Sequence, residues 1–257
     1  MTITNTQSGT RIDEIGDGIY QIHTPIREMP GGFGFSFNQY LVVDNEPLVF
    51  HTGPRRMFPL VREAITHVLP VKKLRWIALS HVEADESGAM NDFLGAAPHA
   101  RPVCSMVAAV VSMNDLADRD PRPLADGEAM TIGKKTLRWL DAPHFPHAWE
   151  CGYLFDETSR TLFCGDLFTQ PGAVHPALTE ADILGPSEQF RHVMDYYSHT
   201  THAPALVAKL VATEPRTLAC MHGAAWHGNG ATLLRALGDS LAGTVSTRSS
   251  GTSQPRE

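Results

Sequence analysis

The chain has 257 residues and a mass of 28.1 kDa, with 42% hydrophobic and 19% charged side chains, the balance of a soluble globular protein with room for a sizeable core. It carries 21 Lys and Arg against 28 Asp and Glu, a net charge of −7, which argues against a phosphate-tracking nucleic-acid binder, since that needs a basic face. No apolar run approaches the roughly 20 residues that span a bilayer, the N-terminus lacks the apolar stretch of a secretory signal, and 4 scattered cysteines form neither a disulfide framework nor a paired zinc site, so a reducing cytoplasm is the expected setting.

In chain order, residues 1–10 are polar and expected to be flexible. A single domain is expected over 11–243 and a disordered tail rich in Ser and Thr over 244–257. Alternation of apolar and polar residues predicts a strand over 18–24, and 38–43 with 47–50 reads as a hairpin. Phe58, Val61 and Ile65 stand at helical spacing, which predicts a helix over 55–69 ended by Pro70. A buried strand over 74–79, a polar loop over 80–87 and a short helix over 88–94 follow. Further strands are expected at 102–104, 136–140, 152–155, 161–163 and 217–220, and helices at 106–116, 187–198, 204–212 and 231–241. Runs of strands followed by helices point to two sheets with helices outside, a layered α/β arrangement.

The chain holds 13 histidines, several of them close to acidic residues. The densest signal is Ser80-His81-Val82-Glu83-Ala84-Asp85-Glu86, directly after a buried strand, where a rigid scaffold presents polar groups. Crowded carboxylates repel one another unless a cation or a proton neutralises them. Imidazole with carboxylate and no thiolate suits iron, manganese or zinc. Three other strand ends share the feature: His144 and His147 follow one strand, Asp166 another and His222 a third. Any one is compatible with an ordinary strand-terminal turn. If the four strands lie side by side, their ends share one edge and the four segments converge there. Cys151, Cys164 and Cys220 fall close to these residues and read as small buried packing groups.

His-x-Glu-x-Asp after a strand, then a His, then Gly165-Asp166 and His222-Gly223, resembles the metallo-β-lactamase fold over about 18–241, which implies an αββα four-layer sandwich. The segment Leu162-Phe163-Cys164-Gly165-Asp166-Leu167-Phe168, the hairpin strand over 38–43 and the turn Thr52-Gly53-Pro54 carry the same likeness, while His51 stands where the family usually has Asp. Hydrolases of this fold carry His-x-His-x-Asp-His. Here those positions hold His81, Glu83, Asp85 and Glu86, and Glu at the second is similar to the flavodiiron proteins and the oxygen-binding di-iron domains.

The resemblance implies two iron ions: one held by His81, Glu83 and His147, the other by Asp85 and His222, with Asp166 bridging them. A carboxylate in place of an imidazole adds negative charge and hardness, which favours iron, and lowers the Lewis acidity that water activation needs. His147 stands 19 residues before Asp166, the spacing the resemblance implies, and is preferred as the ligand, with His144 as a supporting or pocket residue; an alternative alignment puts His144, next to Pro143, in the ligand position instead. Glu86 has three readings: an extra ligand to the second metal, an acceptor for a ligand imidazole, or a solvent-facing carboxylate. Trp149 and Trp226 either wall the pocket or pack in the core. The Gly- and Phe-rich stretch 30–37 reads equally as a flap over the metals or a connection with core aromatics.

The implied partner is O2 or another diatomic gas such as NO. The flavodiiron reductases carry a flavodoxin-like FMN domain after this one. This chain ends at Glu257, so a separate electron donor is expected for turnover, and O2 binding or sensing without one. A homodimer is the expected assembly. The rival reading is a zinc-dependent hydrolase of an ester, thioester or lactone, against which Glu83 and Glu86 count.

Overall fold

A computed structural model describes residues 2–29 and 32–249, with side chains as far as residue 243. Strands β1 (Thr2–Asn5), β2 (Thr10–Gly16), β3 (Ile19–Ile26), β4 (Phe35–Val42), β5 (Leu48–Phe50), β6 (Trp76–Ala78), β7 (Arg101–Ser105) and β8 (Arg122–Leu124) form one sheet in that spatial order. Its first five strands are antiparallel and β5 to β8 are parallel. Parallel neighbours need crossovers. These are α1 (Phe58–Thr66), then α2 (Ala84–Ser87) with α3 (Met90–Ala96), then α4 (Met106–Ala108) with α5 (Asn114–Leu116), the last two joined by a π turn over Ala109–Met113.

The second sheet contains β9 (Ala129–Thr131), β10 (Thr136–Asp141), β11 (Gly152–Asp156), β12 (Thr161–Phe163), β13 (Leu178–Thr179), β14 (Thr217–Ala219) and β15 (Ala225–His227). Its spatial order is β13-β15-β14-β12-β11-β10-β9. Helices α6 (Leu184–Met194), α7 (Ala203–Ala212) and α8 (Gly230–Ser249) cover its outer face.

Period-2 alternation sorts the apolar side chains into three cores. Tyr40, Val42, Leu48, Phe50 and Ala78 meet Trp139, Leu154, Phe163 and Ala219 between the sheets. Their neighbours Leu41, Val49 and Ile77 point the other way and pack on Val61, Ile65 and Phe93 of α1 and α3. Leu162, Cys164, Leu218 and Cys220 pack outward on Leu206, Leu210, Leu234 and Leu237 of α7 and α8. Helix, sheet, sheet, helix is the αββα sandwich of a metallo-β-lactamase-like fold. All four cysteines are buried and free, as packing groups are. Among the described residues no helix is long and apolar enough to cross a membrane.

Three local expectations need correction. Residues 2–5 are not loose: they pair with β2 in the register Thr2↔Ile12 and Ile3↔Arg11, and Asn5 Nδ2 donates to Glu63 Oε2 at 2.9 Å. A polar composition does not prevent a strand from satisfying its backbone at a sheet edge. At the other end α8 runs on to Ser249, inside the stretch expected to be a tail, and 250–257 lie outside the described residues. The strands that present the four polar segments do not share one sheet edge. The strand before His81 is β6 of the first sheet, whereas β10, β12 and β14 belong to the second, so the segments meet across the open end of the sandwich.

Candidate metal centre

Each imidazole of the cluster is aimed by a hydrogen bond at Nδ1. His81 Nδ1 pairs with Ser80 Oγ at 2.9 Å, and Ser80 Oγ with His51 Nε2 at 2.9 Å. His147 Nδ1 lies 3.1 Å from the Tyr196 carbonyl, and His222 Nδ1 lies 2.8 Å from the Ser36 carbonyl. Carbonyls only accept, so His147 and His222 hold Nδ1–H and turn Nε2 to the cluster, the arrangement that fixes tautomer and ring plane for metal ligation. Two glycines let the loops approach this closely. A Cβ at Gly165 (φ +47°) would stand 3.0 Å from Ser80 Oγ, and one at Gly223 (φ +95°) would stand 2.6 Å from Gln170.

The ring nitrogens then face carboxylates. His147 Nε2 is 3.2 Å from Asp166 Oδ2 and 3.7 Å from Glu83 Oε2, and His81 Nε2 is 3.6 Å from both Asp166 Oδ2 and Glu83 Oε2. His222 Nε2 is 3.4 Å from Asp85 Oδ2 and 3.3 Å from Asp166 Oδ1, the latter without hydrogen-bond alignment. Among the described residues the donors form two groups, His81, Glu83, His147 and Asp166, and Asp85, Glu86 and His222, with ligand atoms within 4.8 Å of one another in each. Asp166 turns one oxygen toward each group. His81 Nε2 and His147 Nε2 stand only 3.0 Å apart, a separation that a proton or a cation must bridge, because two lone pairs repel. The donor set therefore fits a pair of metal ions.

Without metal the cluster stores protons. Burial alone would depress His147 and His222, but Asp166 with Glu83 outweighs it for His147, and Asp166 with Asp85 for His222, raising both to about 10. Hydrogen bonds from His147 and His81 lower Glu83 to about 2. Burial tends to raise Asp166, yet His147 and His222 hold it well below the usual carboxylate range. Burial, then Asp166 and Asp85, push Glu86 well above that range. Burial, then the nearby His81, lower His51 to about 3, so the floor of the site is a neutral imidazole bonded to Ser80.

A ligand imidazole must be neutral, so metal entry at pH 7 has to displace protons held by His147 and His222. With both imidazoles raised to about 10, protons compete with metal for them at every pH below that value, and the competition fades as pH climbs through it. Metal affinity is expected to strengthen with pH over that range, with proton release on uptake. Calorimetric titration of the metal-free protein in buffers of differing ionisation enthalpy measures it, and a buffer-independent heat contradicts it.

In front of the cluster is a cavity of about 210 Å³, walled by Met29, Phe33, Phe35, Phe190, Met194 and Tyr196. Phe35 packs on the His222 ring at 4.4 Å between centroids and Phe37 at 5.4 Å. The aromatic stretch anticipated as either flap or connection thus lies against the site through these rings, and Pro30 and Gly31 within it lie outside the described residues. The wall on the far side, Phe190, Met194 and Tyr196, comes from α6 and the turn after it. Nothing in the local sequence marks those residues.

His144 sits apart from the cluster, on a second cavity of about 600 Å³ with Phe145, Pro146 and Tyr197. Neither tryptophan walls the site. Trp149 is 55% exposed after the left-handed turn at Ala148. Trp226 lies against the outer core of the second sheet, with its indole N–H on the Ala181 carbonyl at 3.0 Å.

The fold and this donor set define a metallo-β-lactamase-like domain with a candidate two-metal centre. The family model described as ODP family beta lactamase matches residues 35–223, and the chain belongs to that family. Its sequence is 23% identical over 208 residues to the anaerobic nitric oxide reductase flavorubredoxin of Vibrio vulnificus, covering 76% of this chain and 41% of that protein. It is 26% identical over 120 residues to the nitric oxide reductase of Moorella thermoacetica, covering 44% of this chain and 29% of that one. The chain thus spans less than half of these relatives' own lengths.

Among solved structures, a 1–254 fragment of a putative diflavin flavoprotein from a Nostoc species superposes with a TM-score of 0.81 at 17% identity, covering 93% of this chain and 98% of that one. The rubredoxin oxygen:oxidoreductase of Desulfovibrio gigas superposes with a TM-score of 0.73 at 19% identity, covering 90% and 60%. These neighbours share the fold.

Proposed function

We propose that this protein is a non-heme di-iron protein that binds O2 or NO at the cluster, either as an oxygen-binding or sensing protein or as a reductase fed by a separate electron donor. The observation that carries the reading is the donor chemistry: three imidazoles meet four carboxylates, with Glu83 rather than a histidine beside His81. Hard anionic donors favour iron and its oxidised state over the zinc of a hydrolase. In this reading His81, Glu83 and His147 hold one ion, Asp85 and His222 the other, and Asp166 both. Bound ferrous iron supplies the electrons that a diatomic ligand accepts.

The chain's own residues do the rest. Ser80, Tyr196 and Ser36 hold the three rings in place. The apolar wall of a cavity of only about 210 Å³ suits a small, uncharged ligand better than an ester or thioester with its flanking groups. The names of the relatives, a nitric oxide reductase and an oxygen:oxidoreductase, support the same ligand class. A homodimer and a cytoplasmic setting belong to the same proposal.

Protein purified without oxygen is expected to hold two iron ions per chain, one for each donor group, and to change its absorption spectrum when O2 or NO is admitted. Zinc as the tightly held metal, with no spectral response to either gas and with esterase or thioesterase turnover, overturns it.

A further inference from the structure

We propose that a cavity at the start of β12 and β14 binds a phosphate monoester, its phosphate group held between Arg216 and Arg235. This site is independent of the metal centre. It lies at the opposite end of the two strands from the segments that carry Asp166 and His222.

Strands β12 and β14 are parallel neighbours with Thr161 opposite Thr217, so the residues just before them, Arg160 and Arg216, stand side by side. The Arg216 amide donates to the Arg160 carbonyl at 2.8 Å. The turn before α8 closes on the same place. Gly228 N donates to the Arg216 carbonyl and Gly230 N to the Pro215 carbonyl, both at 2.9 Å. A Cβ at Gly230 would stand 2.6 Å from the Pro215 oxygen, so a side chain there would hold the two segments apart. Arg235 follows in the second turn of α8. Together these segments surround a cavity of about 550 Å³, lined by Arg160, Glu214, Arg216, His227 and Arg235.

Arg160 already has its anion. Its guanidinium donates to Glu214 Oε2 at 2.8 Å and to the Glu214 carbonyl at 2.7 Å. Among the described residues Arg216 and Arg235 have no ion-pair partner. Both are exposed, so packing does not account for them. Two uncompensated positive charges therefore face one concavity, in a chain whose net charge is −7.

A cleft lined by one sign of charge focuses its field and draws in the opposite ion. Guanidinium forks match phosphate oxygens in pairs. A phosphate monoester carries about −1.5 to −2 at pH 7, the complement of two arginines. A lone carboxylate would neutralise only one of them. The cavity falls in the range of roughly 300–1,000 Å³ typical of small-molecule sites, which leaves room for the organic group that carries the phosphate.

The test is calorimetric titration of the whole chain, as purified, with inorganic phosphate, AMP and adenosine. Phosphate and AMP are expected to bind and adenosine is not. Arg216→Gln and Arg235→Gln, at exposed positions, are each expected to weaken AMP about 10-fold or more, the worth of one charge-assisted contact. Metal content and thermal unfolding should stay as in wild type. His147→Ala, which disturbs the metal centre, should bind AMP as wild type does. Adenosine bound as well as AMP, no saturable binding of either phosphate compound, or phosphate bound with AMP excluded overturns the proposal. So does AMP affinity unchanged in the double variant Arg216→Gln/Arg235→Gln. AMP binding lost in His147→Ala but kept in the arginine variants would put the anion at the metal centre, and also overturns it. None of these results bears on whether the donor cluster holds two metals.

Discussion

Asp166→Ala is expected to strip the protein of both tightly held ions, taking metal content from two per chain to none that survives desalting. Asp166 stands between the two donor groups, with Oδ2 at 3.2 Å from His147 Nε2 and Oδ1 at 3.3 Å from His222 Nε2. Each ion would lose a donor, and the repulsion between two cations a few ångströms apart would lose the anion that screens it. Loss of even an outer partner of a ligand weakens a metal about 10–100-fold, so loss of a shared inner one should weaken both sites at least about 100-fold. Elemental analysis and ferrous titration of the variant measure this. Two ions retained at wild-type affinity would mean that Asp166 bridges nothing.

The second large effect separates two neighbouring histidines. His147→Ala is expected to lose the ion of the first donor group, and His144→Ala to keep both. His147 presents Nε2 to His81, Asp166 and Glu83 and is held there by the Tyr196 carbonyl. His144 has a left-handed backbone (φ +61°) and lines a different cavity, with Phe145 and Pro146 between the two histidines. The comparison is made on metal content and on the ferric absorption of air-exposed protein. The reverse order of loss would show that the loop after β10 offers the other imidazole to the metal.

Much of the centre was legible because its chemistry is concentrated locally. His81, Glu83, Asp85 and Glu86 lie within a few residues of a buried strand, and each of the other donors follows a strand at once. Backbone geometry then leaves little choice about where a side chain just past the last ladder bond can point. The apolar runs were legible for a related reason: alternation along Leu41, Val42 or Leu162, Phe163 assigns one side chain to each face of a sheet. The wall of the small cavity was not legible. Phe190, Met194 and Tyr196 reach the cluster only because α6 folds back over the second sheet, and no local pattern encodes that return. Trp226 takes the core alternative and Trp149 neither of the two, because adjacency to a donor in sequence says nothing about which way the next side chain turns.

By itself the sequence determined the donor types, their order along the chain and the layered α/β class, since periodicity and strand-end placement are local properties of the backbone. Only the tertiary structure decided which histidine of the 144–147 loop meets the cluster, that its segments arrive from two sheets, and that Glu86 is fully buried beside Asp85 and His81. Those depend on how two sheets face each other and on single backbone clamps, such as Thr52 on the Glu86 carbonyl and Tyr196 on His147, between residues far apart in the chain.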